Sequence, residues 1–352
     1  MEPSEKLHFA SDYMEGAHPK VLEALVRTNA LATPGYGCDG FCREAERQIL
    51  DACGCPEGEV HFLVGGTQTN AVVAGALLRS YQGVIAAETG HVFVHEAGAI
   101  ELGGHKVLAV PQTEGKLSAA DVRRALGAYR EDANRDHMVM PGMVYISQPT
   151  EYGTLYSRAE LAALSGVCRE AGLYLYADGA RLAYALAAPE NDVTLRDLAA
   201  LTDVFYIGGT KCGALFGEAV VIPKKGLIPH FFSIIKQHGA MLAKGRLLGV
   251  QFGALFADGL YGRIGLPAVR SARRIQEKLA ARGYALPLLS PTNQIFVILE
   301  DRELERLGER AEYGFMEKTD ETHTMIRLAT AWYTTQEQTQ ALLRLLDGKT
   351  GE

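Results

Sequence analysis

The chain of 352 residues is 47% hydrophobic and 22% charged, with 35 basic against 42 acidic residues and a net charge of -7. That is ordinary globular composition, long enough for a sizeable core and, at about 150 residues per domain, for two domains. The acidic balance argues against nucleic acid or an anionic membrane as partner. No run approaches the ~18 apolar residues of a membrane span, and Met1 to Ala10 is charged and lacks an apolar leader core, so the expected location is the cytoplasm.

In chain order, the first cluster is four cysteines, Cys38, Cys42, Cys53 and Cys55. Their C-x3-C and C-x-C spacings raise the alternative of a zinc site, but with Cys168 and Cys212 they read as free thiols of a reducing compartment, and no metal is expected. His61 to Val64 predicts a strand ending in Gly65-Gly66, and Gln68 to Tyr81 an Ala-, Val- and Leu-rich helix. Gly83 to Ala87 predicts a strand, and Leu117 to Tyr129 a helix capped by Ser118. Met143 to Ser147 is a buried strand, and Arg158 to Ala171 a helix closed by Gly172. Leu173 to Ala177 and Val204 to Ile207 are strands that stop at Asp178 and before Gly208-Gly209. Strands alternating with helices predict an α/β fold with a mainly parallel sheet, covered on both faces. After about residue 255 charged helices (Ala268 to Arg282, Gln336 to Leu346) flank short strands (Gln294 to Leu299, Met325 to Ala329). A large domain over 1–250 and a smaller C-terminal α+β domain over 251–352 are expected.

Ligands of such sheets bind at the carboxyl ends of strands. Four polar segments sit there: Gly65-Gly66-Thr67, Gln148 to Gly153, Asp178-Gly179-Ala180-Arg181 and Gly208-Gly209-Thr210-Lys211. Lys211 taken alone reads as a solvated loop lysine, but burial in a glycine-rich turn lowers a lysine's pKa and lets the neutral amine attack a carbonyl. Asp178 ends an apolar run; it reads either as a helix cap or as a carboxylate that needs a cationic partner, such as a protonated pyridine nitrogen. Gly65-Gly66-Thr67 opens a helix, whose free N–H groups and dipole suit a phosphate. His91 follows the next strand and can stack on a flat ring, with His95 and Glu96 close by. Phosphate anchor, ring stacker, Asp then Arg, and finally Lys follow one another after successive strands. The 33 residues from Asp178 to Lys211 leave room for one helix and one strand.

These segments resemble the threonine aldolase and β-eliminating lyase family of fold-type I pyridoxal-phosphate (PLP) enzymes. The resemblance rests on Phe9-Ala-Ser-Asp12, Gly16-Ala-His-Pro19, Gly65-Gly-Thr67 and His91-Val-Phe-Val-His-Glu-Ala-Gly98. It continues through Tyr176-Ala-Asp-Gly-Ala-Arg-Leu182, Gly208-Gly-Thr-Lys211, Lys244-Gly-Arg246 and Ile326-Arg-Leu328. Ser147-Gln-Pro-Thr-Glu-Tyr-Gly-Thr154 is similar to the low-specificity L-threonine aldolase branch. The resemblance implies an aminotransferase-like fold and a homodimer or homotetramer with active sites at the subunit interface. It implies PLP held by Lys211 as a Schiff base, by Asp178 at the ring nitrogen and by His91 on the ring face. Gly65, Gly66 and Thr67 would take the phosphate, with Gln148 in the same cofactor site and Arg246 reaching a phosphate across the interface. Arg181 would lie near the ring oxygen and the substrate carboxylate. Arg327, whose guanidinium fork suits a carboxylate, would bind the substrate with Ser11, and His95 would belong to the same pocket.

The implied reaction is cleavage of L-threonine or a related β-hydroxy-α-amino acid to glycine and an aldehyde; β-elimination, transamination and racemisation are the alternatives. One departure bears on the chemistry. Many members of the family carry a histidine after the strand that ends at Ser147, placed to act on the substrate hydroxyl, and this chain has Thr150 there. The general base is therefore left open among His91, His95, Glu96 and a water.

Overall fold

The computed structural model describes residues 6–347. Its strands are β1 (Leu7–His8), β2 (Glu59–Leu63), β3 (Gln82–Ala87), β4 (Val107–Val110), β5 (Met140–Ser147) and β6 (Tyr174–Asp178). They continue with β7 (Val204–Gly208), β8 (Glu218–Ile222), β9 (Gln294–Glu300), β10 (Ala311–Glu312), β11 (Gly314–Lys318) and β12 (His323–Ala329).

Seven strands form the main sheet in the order β2-β8-β7-β6-β5-β3-β4. The pairs from β7 to β4 are parallel, and β8 runs antiparallel to both of its neighbours. The exception has a local cause. Only a short turn joins β7 to β8, closed by Gly209 and Thr210 N–H bonds to the Gly217 carbonyl, and no crossover helix fits in it. Lys211 sits in that turn.

The expected burial on both faces is present and explains the continuous apolar runs. Ile85, Val144, Ile146, Leu175, Phe205 and Val221 pack into one core layer, while Val84, Met143, Tyr145, Tyr176, Tyr206 and Val220 pack into the other. Alternate residues of the same strands thus face opposite helix layers. The helix Arg158–Ala171 has the residues its ends require: Ser157 makes a reciprocal capping box with Glu160, and Gly172 closes it in the left-handed conformation.

Two strands of the main sheet, β4 and β8, go unrecognised in the sequence, as does the helix Gly40–Cys53 over the cysteine cluster. Its N-cap is Asp39, and it buries Cys42, against the helix Arg246–Phe256, and Cys53. The six cysteines are unbridged.

The smaller unit is the antiparallel sheet β11-β12-β9 with helices Leu266–Ala281, Asp301–Arg310 and Gln336–Leu346. Leu7–Phe9, expected with the 1–250 unit, lie here instead. β1 pairs in parallel with β10, and Phe9 is buried among Ile295, Val297, Ile326 and Leu328. The N-terminal segment then leaves that core for the carboxyl edge of the main sheet, which brings Ser11, Asp12 and Tyr13 to the junction of the two units.

Candidate active site

At the carboxyl ends of β5, β6 and β7 opens a cavity of about 360 Å³. Its walls include Gly65, Gly66, Thr67, His91, Thr150, Glu151, Asp178, Arg181 and Lys211, and also Tyr13, Tyr206 and Glu218. Seven of the residues singled out in the sequence therefore meet in one place, although they come from segments more than a hundred residues apart.

Asp178 ends β6 and is buried. Its Oδ1 accepts hydrogen bonds from the Tyr206 hydroxyl (2.5 Å) and the Ala180 N–H (2.9 Å). Its Oδ2 accepts from the Tyr145 hydroxyl (2.7 Å) and the Asn70 amide (3.1 Å). Burial pushes its pKa up, but the His91 charge and these donors outweigh it and hold the carboxyl below its ordinary value. The result is a buried charged carboxylate with neutral donors around it, on the wall of a cavity.

Lys211 is half-buried, and desolvation together with Arg181 lowers its pKa. Its carbonyl is anchored by the Tyr184 hydroxyl at 2.6 Å, and its Nζ lies 6.0 Å from the centroid of the Tyr13 ring. Beside it Glu218 accepts from the Gly209 N–H (3.0 Å) and the Thr210 hydroxyl (2.9 Å). Burial lifts Glu218 to about 8. Neither Glu218 nor β8 was foreseen, because a single Glu in an apolar stretch carries no periodic signal.

The helix Gly66–Leu77 begins at the cavity with Gly65 as its N-cap and no side chain capping it. A Cβ on Gly65 would meet nothing within 4 Å, so the space over the first turn is open. Free N–H groups at the start of a helix of this length suit a phosphate. His91 lines the cavity, and its Nδ1 bonds to Glu96 at 2.7 Å, which orients the ring. Glu96 is buried and also takes a 2.7 Å bond from Asn70.

Arg181 makes a two-point ion pair with Asp12, Nε to Oδ2 at 2.6 Å and Nη2 to Oδ1 at 2.9 Å. Burial raises the Asp12 pKa, but Arg181 and Lys211 prevail and hold it at about 2. Arg327 bonds to the Ala10 carbonyl (3.0 Å) and to Gln294 (3.3 Å). Its Nε and the Ser11 hydroxyl are buried donors that find no partner among the described residues, as a site awaiting an anion requires.

Other expected residues lie elsewhere. Gln148 is buried behind the wall, exchanging hydrogen bonds with the Tyr156 main chain at 3.2 and 2.9 Å, so it shapes the loop. His95 is off the wall, its ring 5.8 Å from that of His91. Arg246 is outside the cavity of its own chain, bonded to the carbonyls of Leu31 (2.7 Å) and Asn29 (3.1 Å).

Comparison with known proteins agrees with this geometry. A family profile described as β-eliminating lyase matches residues 8–302. Over 308 residues the chain is 33% identical to the low-specificity L-threonine aldolase of Pseudomonas aeruginosa, covering 86% of this chain and 87% of that protein. The structure of a Leishmania major threonine aldolase superposes with a TM-score of 0.94 at 42% identity, over 97% of this chain and 98% of that one. A mutant aspartate aminotransferase of Thermus thermophilus, 19% identical, superposes with a TM-score of 0.72 over 97% of this chain and 91% of its own. The fold is aminotransferase-like, that of fold-type I PLP enzymes.

Proposed function

The chain belongs to the β-eliminating lyase family, and from that premise we propose that it is a PLP-dependent aldolase cleaving L-threonine and related β-hydroxy-α-amino acids to glycine and an aldehyde. The observation that carries the cofactor assignment is the charged, buried Asp178 carboxylate facing the same cavity as Lys211, whose pKa is lowered.

The residues present fit PLP. Lys211 would hold it covalently through its carbonyl carbon, Asp178 would pair with the ring nitrogen, and His91 would lie on the ring face. Gly65, Gly66 and Thr67 would take the phosphate. Bound there, the cofactor supplies an electron sink for a bond broken at Cα.

The chain's own groups do the rest. Arg327 Nε and the Ser11 hydroxyl, which lack partners among the described residues, would take the substrate carboxylate, with Arg181 assisting. The Asp12 ion pair fixes the Arg181 guanidinium, so the binding charge is oriented in advance rather than at the moment of reaction. The four donors on Asp178 keep it ionised, which a partner cation on the ring nitrogen requires. The lowered pKa of Lys211 favours the neutral amine, the form that attacks a carbonyl.

The same reading takes the enzyme as a cytoplasmic homodimer or homotetramer with active sites at the interface, where Arg246 would reach a neighbour's phosphate; light scattering measures the assembly. The reaction is tested by incubating the purified protein with L-threonine and with L-phenylserine and assaying glycine. Release of glycine is expected, as is an absorbance band near about 420 nm that Lys211→Ala lacks. Absence of glycine from every β-hydroxy amino acid sinks the aldolase reading.

A further inference from the structure

We infer that Glu151 accepts the proton of the substrate's β-hydroxyl group, the task left unassigned where this chain has Thr150. This rests on the aldolase reading.

Of the other side chains, His91 has its Nδ1 held by Glu96 and would lie on the ring face, and Thr150, Glu96 and His95 are committed or off the wall. The Thr150 hydroxyl is paired with that of Thr154 at 2.6 Å, and Thr154 bonds on to the Glu114 carbonyl. Glu96 lies behind the wall between His91 and Asn70, and His95 is off the wall.

Glu151 is on the wall, four residues past the end of β5. Its Oε1 accepts from the Ser147 hydroxyl (2.6 Å) and from the His91 N–H (2.9 Å). Among the described residues no other side chain donates to its Oε2. One oxygen anchors the carboxylate and the other is free to take a proton. The backbone beneath it is rigid. Gly153 turns the chain back at φ +71°, Thr150 N–H bonds to the Thr154 carbonyl, and Gln294 of the smaller unit donates to the Glu151 carbonyl at 3.2 Å.

The surroundings suit a base. Burial is the main cause that raises the Glu151 pKa above the ordinary carboxylate range, and the Asp178 charge adds to it. The Ser147 and His91 hydrogen bonds act against that rise. Arg181, Tyr145, Tyr152 and Tyr156 also feel its charge. A base whose pKa approaches the working pH transfers protons most effectively.

The step balances without a further reactant. The β O–H bond breaks and its proton passes to Glu151 Oε2. The aldehyde C=O forms as the Cα–Cβ bond breaks. The electron pair left at Cα is delocalised until a proton closes it, giving glycine.

Glu151→Gln keeps an oxygen for Ser147 and His91 but removes the base. Two rates separate the readings: threonine cleavage, and exchange of a glycine α-proton with solvent deuterium, which needs no β-hydroxyl. We expect the variant to lose about 10²- to 10⁴-fold in cleavage kcat, to keep exchange within a few-fold, and to lose the acid limb of the kcat/KM profile. Glu151→Asp should recover part of the cleavage rate. Cleavage by Glu151→Gln at the wild-type rate with an unchanged pH profile overturns the proposal. So does an equal fall of both rates, which marks a structural residue. A wild-type protein that exchanges glycine's proton but cleaves nothing overturns the aldolase reading itself.

Discussion

Asp12 and Arg181, 169 residues apart, are joined by a buried two-point ion pair that ties the N-terminal segment to the end of β6. Asn293 of the smaller unit donates to the same Asp12 oxygen at 2.9 Å, so one carboxylate holds three segments at the mouth of the cavity.

Removing one member of a buried pair leaves the other charge uncompensated. Asp12→Ala is expected to cost about 3–5 kcal/mol, read from urea unfolding. The pH dependence has a definite sign. The folded pKa of Asp12, about 2, lies below its ordinary 3.8, so its contribution is present above pH 3.8 and is lost as pH falls toward 2. In Asp12→Asn that part of the acid decline should be absent; an unchanged acid profile counts against the ion pair's role.

Asp178→Asn removes the charge while keeping the shape of a group held by four donors. Cleavage is expected to drop by at least ~10²-fold, the scale of losing one well-placed electrostatic partner. Cofactor content, measured after alkaline release, should fall as well. Activity within a few-fold of wild type would contradict the pairing of Asp178 with a cationic ring nitrogen.

Glu218 behaves in the opposite sense. Its folded pKa, about 8, lies above its ordinary 4.5, so its contribution to stability is complete below pH 4.5 and is lost as pH rises through 8. Glu218→Gln should flatten the decline across that window, measured as Tm against pH without cofactor. A parallel decline in both proteins excludes Glu218 as its source.

Gly179 is required by a close approach. A Cβ there would run into the Tyr206 carbonyl of the adjacent strand. Gly179→Ala should cost about 1–3 kcal/mol by overpacking and should disturb the Asp178 hydrogen bonds on either side of it. A Tm equal to that of wild type would show that β6 and β7 can part at no cost.

Much of this was legible in the chain. Alternating residues of β5, β6 and β7 feed two core layers, so these strands appear as unbroken apolar runs, and the polar residues that stop them mark the site. Asp178, Lys211, His91 and Gly65 to Thr67 were found that way. β8 escaped because the mainly parallel pattern implies a crossover helix, whereas the short Gly209–Gly217 turn forces an antiparallel return. The pairing of β1 with β10 leaves no local signal because it spans about 300 residues.

Local patterns in the sequence thus determined the layered α/β fold and the strand ends on which a phosphate anchor, a carboxylate and a lysine are displayed. Tertiary structure alone decided which charges meet. It set Asp12 against Arg181, packed Glu218 beside Lys211, and turned Glu151 back over Ser147 and His91 so that one carboxylate oxygen is held and the other left free. The reason is physical. Periodicity records which side of an element faces the core, but a side chain's partners and ionisation depend on desolvation and on charges brought in from distant segments.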